Sequence, residues 1–321
     1  MRKLNALLTA ALACLSLAAC GGSGDERGKR PVSLTLDFTP NAVHSGIYLA
    51  HQRGYDEAEG VPLEIRQPSS STDAVKLLLS GRSDFAVMDI HDLAIAREKG
   101  SKLVGVMALV QTPLAAVIAK PGTKSPKALA GGSAGVTGLP SDVAVLNSVL
   151  KGAGADPGSV KKVTIGFTAV PALLAGKVDA VTAFWNVEGV ALKSKRPGVR
   201  EFRVERYGAP TYPELVLVTS RETLDEDPEE VKATIRTLRR GYEEALKDPE
   251  SAVQALLNAD RGLRDTTVKA EFDAVSASFT AGARYYGELN ERRLREWAKW
   301  EKKFGITKDE PDIFKTFRFN Y

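Results

Sequence analysis

Short apolar runs of strand length alternate with helical patterns over most of this chain. From Val32 the order is VSLTLDF, a helix from about His44, PLEIRQ, a helix through 75–79, DFAVMD, a helix from His91, and KLVGVMALV. Strands alternating with amphipathic helices predict an α/β fold with mostly parallel sheet and helices on both faces. The order then returns as SAGVTG, a helix opened by Leu139-Pro140-Ser141-Asp142 and running through Leu150, then KKVTIGF, AVPALLAG and VDAVTAF. Proline in a first turn, followed by Ser and Asp, is a common helix opening.

Two segments share one pattern. AVKLLLSGRSDFAVMD closes a helix at Gly81 and opens a strand at Asp84; AVPALLAGKVDAVTAFW does so at Gly176 and Asp179, 95 residues later in both cases. Glycine suits the left-handed position that ends a helix. The match predicts one structural unit used twice, although a match this short also arises by chance. After PELVLVTS the pattern turns helical, over 229–247, 250–258, 266–286 and 291–304, with Asp227-Pro228 and Asp248-Pro249 marking starts. The whole reads as two lobes around a ligand cleft. Residues 31–115 and 218–321 form lobe 1 and residues 116–217 form lobe 2, with hinges at 113–121 and 212–219.

The N-terminus lies outside this scheme. Arg2 and Lys3 precede an apolar stretch from Leu4 to Ala13, too short to span a bilayer, and Leu17-Ala18-Ala19-Cys20 is followed by GGSGDERG. Residues 1–19 read as a lipoprotein signal peptide, Cys20 as the lipidated residue and 20–30 as a tether. An ordinary signal peptide with an incidental cysteine is the alternative. A diacylglyceryl group suffices for stable anchoring. With Cys14 and Cys20 spent in export, no cysteine remains in the folded part, which excludes disulfides, thiolate metal sites and cysteine nucleophiles there. Loss of Arg2 and Lys3 lowers the formal charge from +4 to +2, and no basic stripe suggests nucleic acid.

Catalytic signatures are sparse: three histidines, and no HExxH, GxSxG or GxxxxGK[ST] pattern. Binding is the better reading, with no cofactor and no metal expected. Open α/β sheets hold ligands at strand ends, and the segment LDFTPNAVHSGIYLA places Phe38, Asn41, His44 and Tyr48 at one such end. Asn41 and His44 can donate or accept hydrogen bonds, or His44 can cap the following helix. Tyr48, one turn beyond His44, is ligand wall or core. In the repeat, Asp89 and Phe184 are equivalent. Trp185 and Glu188 follow, and an aromatic plane beside a carboxylate suits a flat nitrogen heterocycle. Trp185 fits core packing equally, and Glu188 fits a solvated acid in a first turn. His91 opens a helix or contacts ligand. Gly135 and Gly138 allow close backbone approach, and a phosphate cradle near Ser141 is conceivable. Tyr212 stands at the second hinge. Phe314, Phe317, Phe319 and Tyr321 are expected to dock the tail.

LDFTPNAVHSGIYLA, GRSDFAVMD, GKVDAVTAFWNVEGV and RYGAPTYPELVLVTS together resemble the NMT1/THI5-like family, over about Val32 to Leu246. The resemblance implies a type II periplasmic-binding-protein fold and a monomeric receptor of an ABC importer. Its ligand would be a thiamine-precursor pyrimidine of the formylaminopyrimidine or hydroxymethylpyrimidine type. Its partners would be permease and ATPase subunits, and its location the outer face of the cell membrane through the lipid anchor. Family members usually carry Trp at Phe38, which keeps a ring face but loses an N–H. The same receptor role for riboflavin, another heterocycle or an alkylsulfonate is the alternative; Glu188 would repel a sulfonate. The family also contains an enzyme that builds the pyrimidine from its own histidine and pyridoxal phosphate. His91 falls where that histidine lies, but Val87 replaces the lysine four positions earlier and the enzyme's cysteine motif has no match.

Overall fold

The computed structural model describes residues 30–319, so Cys20 and the signal-peptide reading lie outside the described residues, as does Tyr321. Ten strands form two five-stranded sheets. In the first, β1 (Val32–Thr35) lies between β2 (Leu63–Arg66) and β3 (Phe85–Asp89), all parallel. β4 (Leu103–Ala108) reaches this sheet only through the last strand, β10 (Leu215–Ser220), which runs antiparallel between β3 and β4. The second sheet contains β5 (Ala115–Ala119), β6 (Ser133–Val136), β7 (Lys161–Thr164), β8 (Ala180–Phe184) and β9 (Arg200–Arg203), ordered β7-β6-β8-β5-β9.

The two orders are the same pattern. Each sheet has three parallel strands, an antiparallel strand inserted beside them, and an outer strand on that insertion. The repeated sequence unit explains part of this likeness. Gly81 and Gly176 both take left-handed backbone, φ +67° and +69°, which glycine adopts without a Cβ clash. Three residues on, Asp84 accepts the Ser33 amide at 2.8 Å and its hydroxyl at 2.7 Å. Asp179 accepts the Ser133 amide at 2.8 Å and its hydroxyl at 3.2 Å. In each lobe an aspartate at the head of one strand thus fixes the start of the strand beside it.

The chain passes between sheets over residues 109–114 and returns over 204–214. The expected lobe boundaries at 115/116 and 217/218 fall inside β5 and β10, and the expected hinges run too far along the chain. β5 and β10 are buried nearly throughout, and continuous apolar runs of this kind do not show where a strand begins.

The C-terminal helices pack back on the first sheet's side. Asp227 and Asp248 cap the helices Pro228–Lys247 and Pro249–Ala259 by accepting the amides of Glu230 and Ser251. The first of these helices lies against Ser45–Gln52 at a glycine crossing, where a Cβ on Gly241 would collide with the Gly46 carbonyl oxygen. The helix expected over 266–286 ends at Val275, followed by a 3-10 turn, Ser276–Phe279. Tyr286 lies beyond it, stacked on Tyr242 at 4.5 Å and 15°. Among the tail aromatics, Phe317 docks under β4, with the Arg318 amide donating to the Gly105 carbonyl at 2.9 Å, whereas Phe314 stays 56% exposed.

Candidate functional site

The carboxyl ends of β1, β3, β6 and β8 face a cavity of about 90 Å³ between the two sheets. Phe38, in the loop after β1, meets Phe167, in the loop after β7, edge to face with ring centroids 4.5 Å apart. One ring comes from each lobe. Apolar walls come from Val75, Val87, Met88, Leu139, Val145 and Phe184. At roughly 10–15 Å³ per water-sized occupant, the space holds about six to nine non-hydrogen groups, the scale of one substituted ring.

Five carboxylates line this cavity, Asp37, Asp89, Asp92, Asp142 and Glu188, and no Lys, Arg or His side chain does. Asp89 ends β3 and caps the helix Ile90–Glu98, accepting the His91 amide at 2.7 Å. Burial pushes its carboxyl well up, against the pull of His91, and Glu214 and Asp92 add to the push. Asp92, the third residue of that helix, is pushed up to about 7 by burial, opposed by a hydrogen bond from Ser141 and helped by Asp142. Asp142 is the third residue of the helix Pro140–Gly152 and accepts both the amide, at 2.6 Å, and the hydroxyl of Thr137. Burial raises it too. Glu188 opens the helix Glu188–Lys195 and folds back so that Oε2 accepts the Phe184 amide at 3.2 Å. Burial pushes it up to about 7, with smaller contributions from Asp142 and Glu271. Near neutral pH such carboxyls accept or donate a hydrogen bond at little cost.

Of the residues singled out from sequence, Phe38, Asn41, Asp89 and Glu188 line the cavity. Asn41 does so while capping a 3-10 turn, its side chain accepting from the Val43 amide and donating to the Thr39 carbonyl. The others lie outside the lining. His44 is fully buried behind Asp37, its Nε2 2.8 Å from Oδ1, and thereby orients that carboxylate. Tyr48 belongs to the core, and burial pushes its hydroxyl up to about 12. Gly138, at φ +109°, turns the chain between Thr137 and Leu139, which do line the cavity. Trp185 is 7% exposed and faces the first crossover, donating from Nε1 to the Pro113 carbonyl at 3.0 Å beneath the Arg203 guanidinium. Ser141 lines the cavity, but the Thr137 amide is already occupied by Asp142 and Asp92 stands beside it. Those acids oppose the phosphate cradle expected there.

His91 and Tyr212 sit together behind the cavity. His91 Nε2 is 3.1 Å from the Tyr212 hydroxyl, Nδ1 bonds Glu301, and Glu214 Oε1 lies 3.9 Å from Nε2. Burial opposes the imidazolium, but Glu301, Asp89 and Glu214 outweigh it and raise His91 to about 10. Asp89, His91 and Glu214 have metal-like spacing, with ligand atoms within 4.8 Å. A protonated imidazole has no lone pair for a metal and acts here as a counter-ion. Glu214, on the second crossover, also accepts the amides of Leu114 and Ala115 on the first.

Sequence reasoning missed Asp37, Asp92, Asp142 and Phe167. Asp92 and Asp142 occupy first turns of helices that follow strands, the same position that singled out Glu188. Phe167 carries no pattern of its own in a loop.

The family described as "NMT1/THI5 like" matches residues 41–252. A formylaminopyrimidine-binding protein of Halalkalibacterium halodurans is 32% identical over 256 residues, 78% of each chain. A 4-amino-5-hydroxymethyl-2-methylpyrimidine phosphate synthase of Legionella pneumophila is 27% identical over 74% of this chain and 76% of its own. Among solved structures, the alkanesulfonate-binding protein of Xanthomonas axonopodis pv. citri bound to MOPS superposes with a TM-score of 0.72 at 16% identity, covering 90% of this chain and 98% of the other. The fold is that of the periplasmic binding proteins, and the chain belongs to the NMT1/THI5-like family.

Proposed function

We propose that this protein is the substrate-binding subunit of an ABC importer and receives a small aminopyrimidine of the thiamine-precursor type. The observation that carries the reading is the cavity with five carboxylates and no basic side chain. An exocyclic amino group beside a ring nitrogen pairs with one carboxyl through two hydrogen bonds: the amino N–H donates to one oxygen, and a second proton is shared between the other oxygen and the ring nitrogen. Glu188, raised to about 7, suits that exchange. Phe38 and Phe167 meet edge to face from opposite lobes, so a ring packed against this pair touches both lobes at once. Closure stabilised in this way is the state that permease and ATPase subunits would read. The relative that binds formylaminopyrimidine supports the ligand class. Lipidation at Cys20, attachment to the outer face of the membrane and a monomeric state complete the proposal.

An alkylsulfonate would bring an anion among five acids with no cation to meet it. Riboflavin, with three fused rings, exceeds a space of about 90 Å³. The synthase reading, which the Legionella relative keeps in view, needs a reactive histidine in the cavity. His91 is fully buried, bonded at both nitrogens and outside the lining, and Val87 stands on the cavity wall where a lysine is expected. We therefore assign a receptor, not an enzyme.

Thermal unfolding of the mature protein against hydroxymethylpyrimidine, formylaminopyrimidine, riboflavin and taurine tests the reading. A ligand at a hundredfold excess over its dissociation constant adds about 2.7 kcal/mol. Stabilisation by the pyrimidines alone is expected. Stabilisation by taurine or riboflavin, with none by pyrimidines, would overturn it.

A further inference from the structure

The chain crosses between lobes only after β4 and before β10, two strands at one side of the first sheet. Opening of the cleft is a rotation about those crossovers. β2 lies at the opposite edge of the sheet, four strand spacings from β4. At about 4.8 Å per spacing that is a lever of about 19 Å, so a rotation of about 10° parts atoms at the β2 edge by about 3 Å, enough to break a hydrogen bond.

The loop after β2 carries such a bond. Its sequence is Pro68-Ser69-Ser70-Ser71-Thr72, and Asp73 opens the helix Asp73–Leu79 behind it. Asp73 Oδ2 accepts the amides of Ser69 and Ser70 at 2.7 and 2.9 Å and the Ser69 hydroxyl at 2.6 Å. Oδ1 accepts the Ser70 hydroxyl at 2.6 Å. The two hydroxyls, joined by the two amides, hold the carboxyl down at about 2. One charged group thus fixes the whole loop, and it does so from outside the cavity lining.

Ser71 does line the cavity, and its hydroxyl donates across the lobe boundary to the Thr137 carbonyl at 3.3 Å. Thr137 is fixed in its turn. Its amide and hydroxyl both go to Asp142, and Gly138 turns the chain after it at φ +109°. Donor and acceptor are each held by an aspartate of their own lobe, so little conformational freedom is lost when they meet. Phe38 and Phe167 meet on the same side, from the loops after β1 and β7.

We infer that Ser71 is a latch of the closed cleft and that Asp73 is its positioning residue, setting ligand affinity without touching the ligand. The inference rests on the receptor reading and says what holds that receptor shut. The bond from Ser71 to Thr137 joins lobe to lobe, so it exists in the closed state alone and adds to the closing equilibrium. A neutral hydrogen bond is worth about three- to tenfold in such an equilibrium, and the same factor passes to the apparent affinity. Closure guards departure of the ligand more than its arrival, so the change falls on the dissociation rate.

Stopped-flow binding of hydroxymethylpyrimidine to the mature protein, Ser71→Ala, Asp73→Ala and the double variant tests this. Each single variant is expected to bind about three- to tenfold more weakly, through faster dissociation. The double variant should lose no more than the weaker single one, because Asp73 acts through Ser71. Melting curves are recorded beside the kinetics. If Asp73→Ala does not fold, Asp73→Asn, which keeps one acceptor oxygen, replaces it with a smaller expected loss. Unchanged affinity in Ser71→Ala overturns the latch. A loss in Ser71→Ala with none in a folded Asp73 variant, or losses that multiply in the double variant, overturns the positioning role. These failures leave the receptor reading standing, whereas absence of pyrimidine binding by the unaltered protein removes both.

Discussion

Two groups of buried acids lie back to back in this protein, separated by the first turn of the helix Ile90–Glu98. Behind the cavity, Glu214 and Glu301 close on His91, with Tyr212 and Trp300 stacked at 5.6 Å beside it. Glu214 also holds the amides of the opposite crossover. Facing the cavity, Asp92 is buried and Asp142 and Glu188 are half-buried, and no basic side chain lines the space. The first group shares one cation between two acids, of which Glu214 is pushed up by burial, and it ties the two crossovers together. The second stays unneutralised and waits for something from outside. Burial of an acid therefore does not by itself mark the candidate site; lining the cavity with no basic side chain beside it does.

Removing the histidine should break the first group most severely. His91→Gln leaves two buried carboxyls without their cation, and a loss of about 3–5 kcal/mol is expected from denaturant unfolding. If instead His91→Gln kept its stability and lost only ligand affinity, the division between the groups would collapse. Glu188→Gln is the converse change. It should lower pyrimidine affinity by about 1.5–3 kcal/mol, the scale of a hydrogen bond to a charged group, with stability unchanged or raised. Titration calorimetry beside a melting curve separates the two effects.

The groups also differ in pH window. Glu188 and Asp92 have folded pKa values near 7, above their ordinary 4.5 and 3.8. Between those values the folded state binds more protons than the unfolded one. Stability of the empty protein is thus fully present at acid pH and lost as pH rises through about 7. The loss is about 1.4 kcal/mol for each pH unit by which a folded group stands above its unfolded value. His91, raised from 6.5 to about 10, loses its contribution in the same direction but over the higher window. A pH series of unfolding curves should show the lower step shrink in Glu188→Gln while the upper step persists. The smallest expected effect is at Trp185. Trp185→Phe deletes the hydrogen bond to Pro113 and should cost about 1 kcal/mol of stability, with ligand affinity nearly unchanged. A large affinity loss would return Trp185 to the binding site.

Much of the fold was legible because its signals are local. The Gly81/Asp84 and Gly176/Asp179 pairs read as a repeat, and each aspartate anchors the equivalent strand. The Asp-Pro helix starts are legible for the same reason. The site was legible only in part. Strand-end position led to Asp89 and Glu188, but successive residues leaving a strand point to opposite sides. Phe184 therefore faces the cavity while Trp185 faces the crossover. Polarity could not separate His44 and His91 from true lining residues, because both are polar groups tied to acids one layer behind. Asp92 and Asp142 reach one cavity from helices of different lobes, which no spacing along the chain reveals.

The most direct measurement is a crystal structure of the mature protein with 4-amino-5-hydroxymethyl-2-methylpyrimidine. The expected result is the ring packed against the Phe38–Phe167 pair, with its amino group and adjacent ring nitrogen within hydrogen-bond reach of Glu188. A ligand seated against Trp185 or His91, or bound away from the five carboxylates, would contradict it.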